Sequence, residues 1–237
     1  MSKNLTLNTG GIIVDVLIPA FNEERSIAKV IGDIPKFVRH IVVVNNNSTD
    51  NTPLVAKGAG AIVLDEPKKG YGRACLTGMS YLASLPSPPD ILVFLDGDYS
   101  DYPEQMTDVI EPIIGKDYDM VIGSRAKGSR ESGSMTLPQV FGNWLATSLM
   151  KWIYKTDYSD LGPFRAIRWQ KLMELGMEDQ NYGWTIEMQI KAAKSGLKST
   201  EVPVDYRKRI GVSKVSGTAK GVFGAGYKIL WTIWRYR

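Results

Sequence analysis

Residues 12–18, 41–44, 61–64, 91–95 and 120–122 are short apolar runs rich in Ile, Val and Leu, and each of the first four precedes a segment that reads as helix. Strand, helix, strand in repetition leaves few architectures: an α/β fold with a mostly parallel sheet and helices on both faces. Runs that are apolar throughout suit strands covered on both sides. The helical segments carry boundary signals. Asn22 is a predicted N-cap for a helix over 23–34, prolines break the helix of 70–85 at 86–89, and Pro103 opens another helix at its first turn, where a missing N–H costs little. In open α/β sheets, ligands bind at the carboxyl ends of the strands. The polar stretches 19–23, 45–50 and 96–101 each follow a strand, so three separate parts of the chain are expected to meet at one sheet edge.

The 237 residues suit a single domain, 1–237, with a ligand-binding first half (1–125) and a less regular second half (126–237). A net charge of +4 favours anionic ligands or an anionic surface. The basic residues are dispersed and form no recognised nucleic-acid module, so no nucleic-acid partner is expected. Cys75 is the only cysteine, which excludes an intramolecular disulfide and suits a reducing, cytoplasmic compartment. His40 is the only histidine and precedes a strand, which excludes a histidine-rich metal site and suits a structural strand-edge role. Residues 1–11 lack a signal-peptide pattern, and no stretch nears the roughly 20 apolar residues of a spanning helix. The chain is expected to be soluble or peripheral on the cytosolic face of a membrane.

In the second half, 127–135 is rich in Gly and Ser and reads as a mobile loop; 164–168 and 201–206 read as strands, and 181–194 as a helix. Over 137–154, Phe141, Trp144, Leu145, Leu149, Trp152 and Ile153 recur at helical spacing. Over 220–237, Phe223, Tyr227, Leu230, Trp231 and Trp234 share one face, with Lys228, Arg235 and Arg237 nearby. Basic amphipathic helices with tryptophans suit a membrane interface; packing between helices explains the same stripe.

Asp96 and Asp98, separated by Gly97, follow an apolar strand. Two carboxylates this close repel unless a cation or hydrogen-bond donors lie between them. Hard oxygen ligands suit Mg²⁺ or Mn²⁺, which also take phosphate oxygens and water. A solvated acidic pair at a strand end is the plainer alternative.

The order of the motifs adds a second line of argument. Leu17-Ile18-Pro19-Ala20-Phe21-Asn22-Glu23-Glu24, Asn47-Ser48-Thr49-Asp50, Lys69-Gly70-Tyr71-Gly72, Asp96-Gly97-Asp98-Tyr99-Ser100, Gly123-Ser124-Arg125, Asp160-Leu161-Gly162-Pro163-Phe164-Arg165, Glu187-Met188 and Arg209-Ile210-Gly211-Val212-Ser213-Lys214 run in sequence along the chain. In this the chain resembles the family 2 glycosyltransferases of GT-A fold, near the dolichol-phosphate mannosyltransferase branch. The resemblance implies a Rossmann-like three-layer sandwich, a nucleotide-sugar donor and an inverting hexosyl transfer to a polyprenyl phosphate. It places Pro19, Ala20, Phe21, Asn22, Glu23, Asn45, Gly70, Asp96, Gly97 and Asp98 at the donor. Asn45 stands where the family usually has a base-reading aspartate, which leaves GDP- and UDP-sugars both open. Asp96, Asp98 and Ser100 are the implied metal ligands, and Arg125, Arg130, Arg209, Ser213 and Lys214 the implied phosphate contacts. Asp160 and Arg125 join Asp98 as catalytic candidates, Asp160 on the acceptor side unless it pairs structurally with Arg165. Two other readings stay open: the same donor chemistry with a soluble hydroxyl acceptor, and a non-catalytic nucleotide-sugar-binding protein. No G-x-G-x-x-G follows the first strand, which speaks against hydride transfer.

Overall fold

The computed structural model describes residues 11–211 and 219–237. The first half runs β1 (Val14–Ala20), α1 (Ile27–Asp33), β2 (Val38–Asn45), α2 (Thr52–Gly58), β3 (Ile62–Asp65), α3 (Tyr71–Ala83) and β4 (Ile91–Phe94). The second runs α4 (Met106–Gly115), β5 (Met120–Ser124), α5 (Leu137–Tyr154), β6 (Arg165–Arg168), α6 (Trp169–Leu175), α7 (Trp184–Lys194), β7 (Ser199–Pro203) and α8 (Ala219–Arg235). The strands form one seven-stranded sheet in the order β3-β2-β1-β4-β6-β5-β7. β6 pairs antiparallel with both β4 and β5, and every other pairing is parallel. The expected mostly parallel α/β sandwich is therefore the architecture observed.

The period of two along β1 sends Val14, Val16, Ile18 and Ala20 into a core shared with α1, α2 and α4. Leu17 faces the opposite core, shared with α3, α6 and α7. Gly78 of α3 is required by that packing, since a Cβ there would stand 2.4 Å from Leu17 Cδ1. Asp15 of β1 is fully buried and is held by Arg39 Nη2 at 2.5 Å and by the amide of His40. The single histidine, in β2, thus contributes its backbone amide to the carboxylate that Arg39 holds. Pro19 is tolerated in a central strand because β4 ends opposite Leu17, which leaves only the β2 side of β1 paired beyond it. A third cluster joins Ala146 and Met150 of α5, Ile186 and Ile190 of α7 and Ile233 of α8, adding helices outside the sandwich.

Several boundaries differ from expectation. The first helix begins at Ile27, not at residue 23, and Asn22 does not cap it. The amides of Glu23 and Glu24 donate instead to Thr52 Oγ1 (2.7 Å) and Asp50 Oδ2 (3.2 Å), and Asn22 adopts φ 56° with its Oδ1 receiving the Thr49 amide. Tertiary bonds between neighbouring strand-end loops thus replace the local cap. The helix expected over 181–194 starts at Trp184, and α6 carried too few turns for its period to register. The stretch 127–135, expected as a mobile loop, is stitched to 205–208: Tyr206 N donates to Ser129 O, Glu131 N to Tyr206 O, and Lys208 N to Glu131 Oε2.

Candidate active site

The acidic turn leaves β4 at the carboxyl edge of the sheet. Asp98 is buried, and both of its oxygens are engaged. Oδ1 accepts from Ser100 N (2.9 Å) and Ser100 Oγ (2.5 Å), and Oδ2 meets the guanidinium of Arg209. Ser100, expected as a third metal ligand, is committed to Asp98 and does not line the cleft. Asp96 Oδ1 accepts from the Tyr71 hydroxyl at 3.1 Å. Burial, together with the neighbouring Asp98 charge, lifts the Asp96 carboxyl to about 6. Repulsion from Asp98 thus adds to burial in disfavouring a charged Asp96, even with Arg209 in place.

A cleft of about 440 Å³, richer in polar groups than the cavity beside it, opens over this turn. Pro19, Ala20, Phe21 and Glu23 line it from the end of β1, Gly70 from the start of α3, and Asp96, Gly97 and Asp98 from β4. Arg125 and Arg209 complete the part of it that the sequence foresaw. Lys69, also in the lining, places its ammonium 4.5 Å from the centre of the Phe21 ring. Gly70 and Gly72 allow α3 to abut the 179–181 segment. A Cβ on Gly72 would stand 1.9 Å from Asp179 O, and one on Gly70 2.1 Å from Gln180 O.

Other expected residues lie elsewhere. Asn45 does not reach the cleft: its Nδ2 donates to Asp65 Oδ1 (2.8 Å) and its Oδ1 receives the Ser48 amide. Asn46 takes the place in the wall, with its amide oxygen accepting from Gly70 N (2.8 Å) and its nitrogen donating to Lys68 O. Asn22 braces two loops behind the cleft. Arg130 is exposed, and its nearest polar contact is the Met135 sulfur at 3.6 Å. Ser213 and Lys214 lie outside the described residues.

Arg125 and Asp160 form a buried pair. Asp160 Oδ2 accepts from Arg125 N (2.7 Å) and Nε (2.9 Å), and Oδ1 from Nη2 (2.7 Å). Burial opposes the Asp160 charge, but the Arg125 charge and these hydrogen bonds outweigh it and hold the carboxyl below its usual range. Asp160 is thus spent on orienting Arg125 and lines neither cavity. The alternative pairing with Arg165 is not formed. Arg165 is fully buried and donates to the carbonyls of Leu161, Gly162 and Thr185, and burial lowers it to about 10.

A second cavity, of about 500 Å³, lies beside the first. Its walls are mainly apolar and include Pro138, Phe141 and Leu145 of α5, Leu161, and Ile229 of α8. Tyr71, Asp96, Arg125, Gln139, Pro163 and Tyr182 line both cavities. Sequence reasoning did not single out Asn46, Lys69 or Tyr71 as site residues, although each sits in or beside a motif it noted. Gln139 and Tyr182 carried no local signal, since only the packing of α5 and α7 brings them to the cleft.

The residues fit a hard divalent cation. Asp98 already holds a cationic group, and Asp96 lacks one. Among the described residues no cluster of three or more His, Cys, Asp or Glu could hold a metal, so such an ion here needs substrate oxygens or water to complete its shell.

Comparison with known proteins supplies the context. A family model described as Glycosyl transferase family 2 matches residues 15–176. The chain is 34% identical over 223 residues to an uncharacterised glycosyltransferase of Mycobacterium tuberculosis, covering 89% of this chain and 93% of that one. It is 30% identical over 212 residues to a dolichyl-phosphate hexose transferase of Haloferax volcanii, covering 87% and 88%. The fold superimposes with a TM-score of 0.76 and 21% identity on glucosyl-3-phosphoglycerate synthase of Mycobacterium tuberculosis, solved with Mn²⁺, uridine diphosphate and glucosyl-3-phosphoglycerate, covering 96% of this chain and 81% of that one.

Proposed function

The chain belongs to glycosyl transferase family 2 and is a nucleotide-sugar glycosyltransferase, and from this starting point we propose that it transfers a hexose from a GDP- or UDP-sugar to a polyprenyl phosphate at a membrane surface, with inversion. The observation that carries the acceptor is the adjoining apolar cavity, which meets the polar cleft at Asp96 and Arg125. A polar donor and an amphiphile with one anionic end match the two compartments. The phosphate would meet Arg125, whose guanidinium is oriented by Asp160, and the isoprenoid would lie against α5 and α8. The dolichyl-phosphate transferase among the relatives supports the same acceptor class.

The chemistry follows from these placements. Phe21, Lys69 and Asn46 hold the nucleotide in the polar cleft, and the acceptor phosphate oxygen attacks the anomeric carbon from the side opposite the diphosphate. The bond from that carbon to the diphosphate breaks as the new one forms. A phosphate monoester is already ionised near neutral pH, so no general base is needed. This is consistent with the engagement of Asp160 by Arg125. A Mg²⁺ or Mn²⁺ ion held by Asp96 and Asp98 would neutralise charge on the departing nucleoside diphosphate.

Donor carrying a labelled sugar, supplied with polyprenyl monophosphate in lipid nanodiscs and separately with a soluble extract, tests the acceptor. Label is expected in the lipid. Label in the soluble fraction alone, or turnover with neither, would overturn the reading. Asp98→Ala is expected to lose metal-dependent donor binding and at least about a hundredfold of transfer, with retention of the fold checked by circular dichroism.

A further inference from the structure

We infer that Arg209 is an internal stand-in for the metal, competing with the divalent cation for Asp98 and transferring to the donor diphosphate when the cation arrives. The inference rests on the metal-site reading given above and adds an order of events to it.

The contact itself is the first observation. The Arg209 guanidinium meets Asp98 Oδ2, the oxygen that Ser100 leaves untouched, and both residues line the cleft. A cation reaching Asp98 through the cleft must displace it or share the carboxylate with it. Two positive charges on one carboxylate repel strongly where solvent screening is weak, and Asp98 is only 4% exposed.

The mounting of Arg209 is the second observation. The backbone on both sides is pinned to the acidic turn: Arg207 N donates to Ser100 O (2.9 Å), and Ile210 N to Asp98 O (2.9 Å). Arg207 donates to Tyr99 O and Asp101 O, and its guanidinium lies 3.4 Å from the Tyr99 ring centre and 4.2 Å from that of Tyr102. The strip therefore stays in place while the Arg209 side chain, 26% exposed against 5% for Asp98, can leave the carboxylate by rotation of its own bonds. Arg209 lines the same cleft as Phe21, Lys69 and Asp96, so a diphosphate bound there lies within its compartment.

Two consequences follow. Without nucleotide, Arg209 weakens metal binding, because the ion must break an existing pair and leave a guanidinium beside it. With nucleotide, the released guanidinium gains a phosphate partner, and metal and nucleotide strengthen each other's binding. Metal and donor then arrive together in preference to metal alone.

Electron paramagnetic resonance of free Mn²⁺ tests this on the full-length protein, with and without GDP and UDP. Relative to wild type, Arg209→Gln is expected to bind Mn²⁺ alone about tenfold more tightly. It is also expected to lose most of the gain in Mn²⁺ affinity that nucleotide confers. A variant that binds Mn²⁺ alone no more tightly than wild type, while Asp98→Asn abolishes binding, would overturn the stand-in and leave the metal site intact. Mn²⁺ binding unaffected by Asp98→Asn would overturn both. Arginine modification by phenylglyoxal, read by mass spectrometry on wild type, keeps the test independent of how the variant folds. Mn²⁺ is expected to raise modification of Arg209 and nucleotide to lower it again; no change on adding saturating Mn²⁺ would overturn the exchange.

Discussion

At Asp160 a single carboxylate separates two roles that look alike in sequence. Its oxygens accept three hydrogen bonds from Arg125, so it serves as the counter-charge that holds a cleft-lining guanidinium in place. Replacing Asp160 with Asn leaves that guanidinium buried without its partner, and the expected loss of stability is about 3–5 kcal/mol, read as a lower urea midpoint. The pH dependence has a definite sign. The folded carboxyl titrates below its unfolded value of about 3.9, so its stabilisation is complete above that pH and is lost as pH falls through the lower folded value. Asp160→Asn is therefore expected to flatten the acid limb of the stability profile below about pH 4; an unchanged limb would contradict the pairing.

Among the elements, α3 and α8 shape the cleft by touching the same connecting segment. The start of α3 lies against 179–181 through Gly70 and Gly72. From the other side, Lys228 of α8 pairs with Asp179 at 2.9 Å. Beyond the helix, Tyr236 donates to the buried carboxylate of Glu187, which also receives the amides of Glu178 and Asp179. Gly72→Ala puts a methyl group into a backbone carbonyl that no rotamer change can relieve. A cost of about 1–3 kcal/mol is expected, together with weaker nucleotide binding as the wall shifts. Calorimetric titration with GDP and UDP measures the second effect, and native affinity in a destabilised variant would separate α3 from the donor site.

On the scale of the whole molecule, the outer helices leave an aromatic face uncovered. Phe141, Trp144 and Trp152 of α5 are exposed, as are Tyr227, Leu230 and Trp234 of α8. The aromatic stripe of α5 is thus divided: Ala146 and Met150 pack inward, with Leu149 and Ile153 against them, while the larger rings face out. Among the described residues no helix is long and apolar enough to cross a membrane. Under the proposed function, attachment is interfacial, through these exposed aromatic side chains. Vesicles containing phosphatidylglycerol are expected to sediment the protein, neutral vesicles and high salt to do so less well, and Trp144→Ala with Trp152→Ala to lower the bound fraction about tenfold or more. Equal sedimentation of the double variant would place the contact elsewhere.

The alternation of strands and helices, the sheet class and the meeting of Pro19–Glu23 with Asp96–Asp98 were legible from sequence, because period, burial pattern and turn chemistry are local properties of the chain. Three features were decided only by packing: the cation beside Asp98, the commitment of Asp160 to Arg125, and the apolar cavity between α5 and α8. The Asp98–Arg209 contact spans 111 positions and the Asp160–Arg125 contact 35, and the energy of such pairs depends on which neighbours share the burial. Asn45 and Asn46 show the same limit at close range. Both are polar residues at the end of β2, and only the positions of Asp65 and Gly70 in space determine which one lines the cleft.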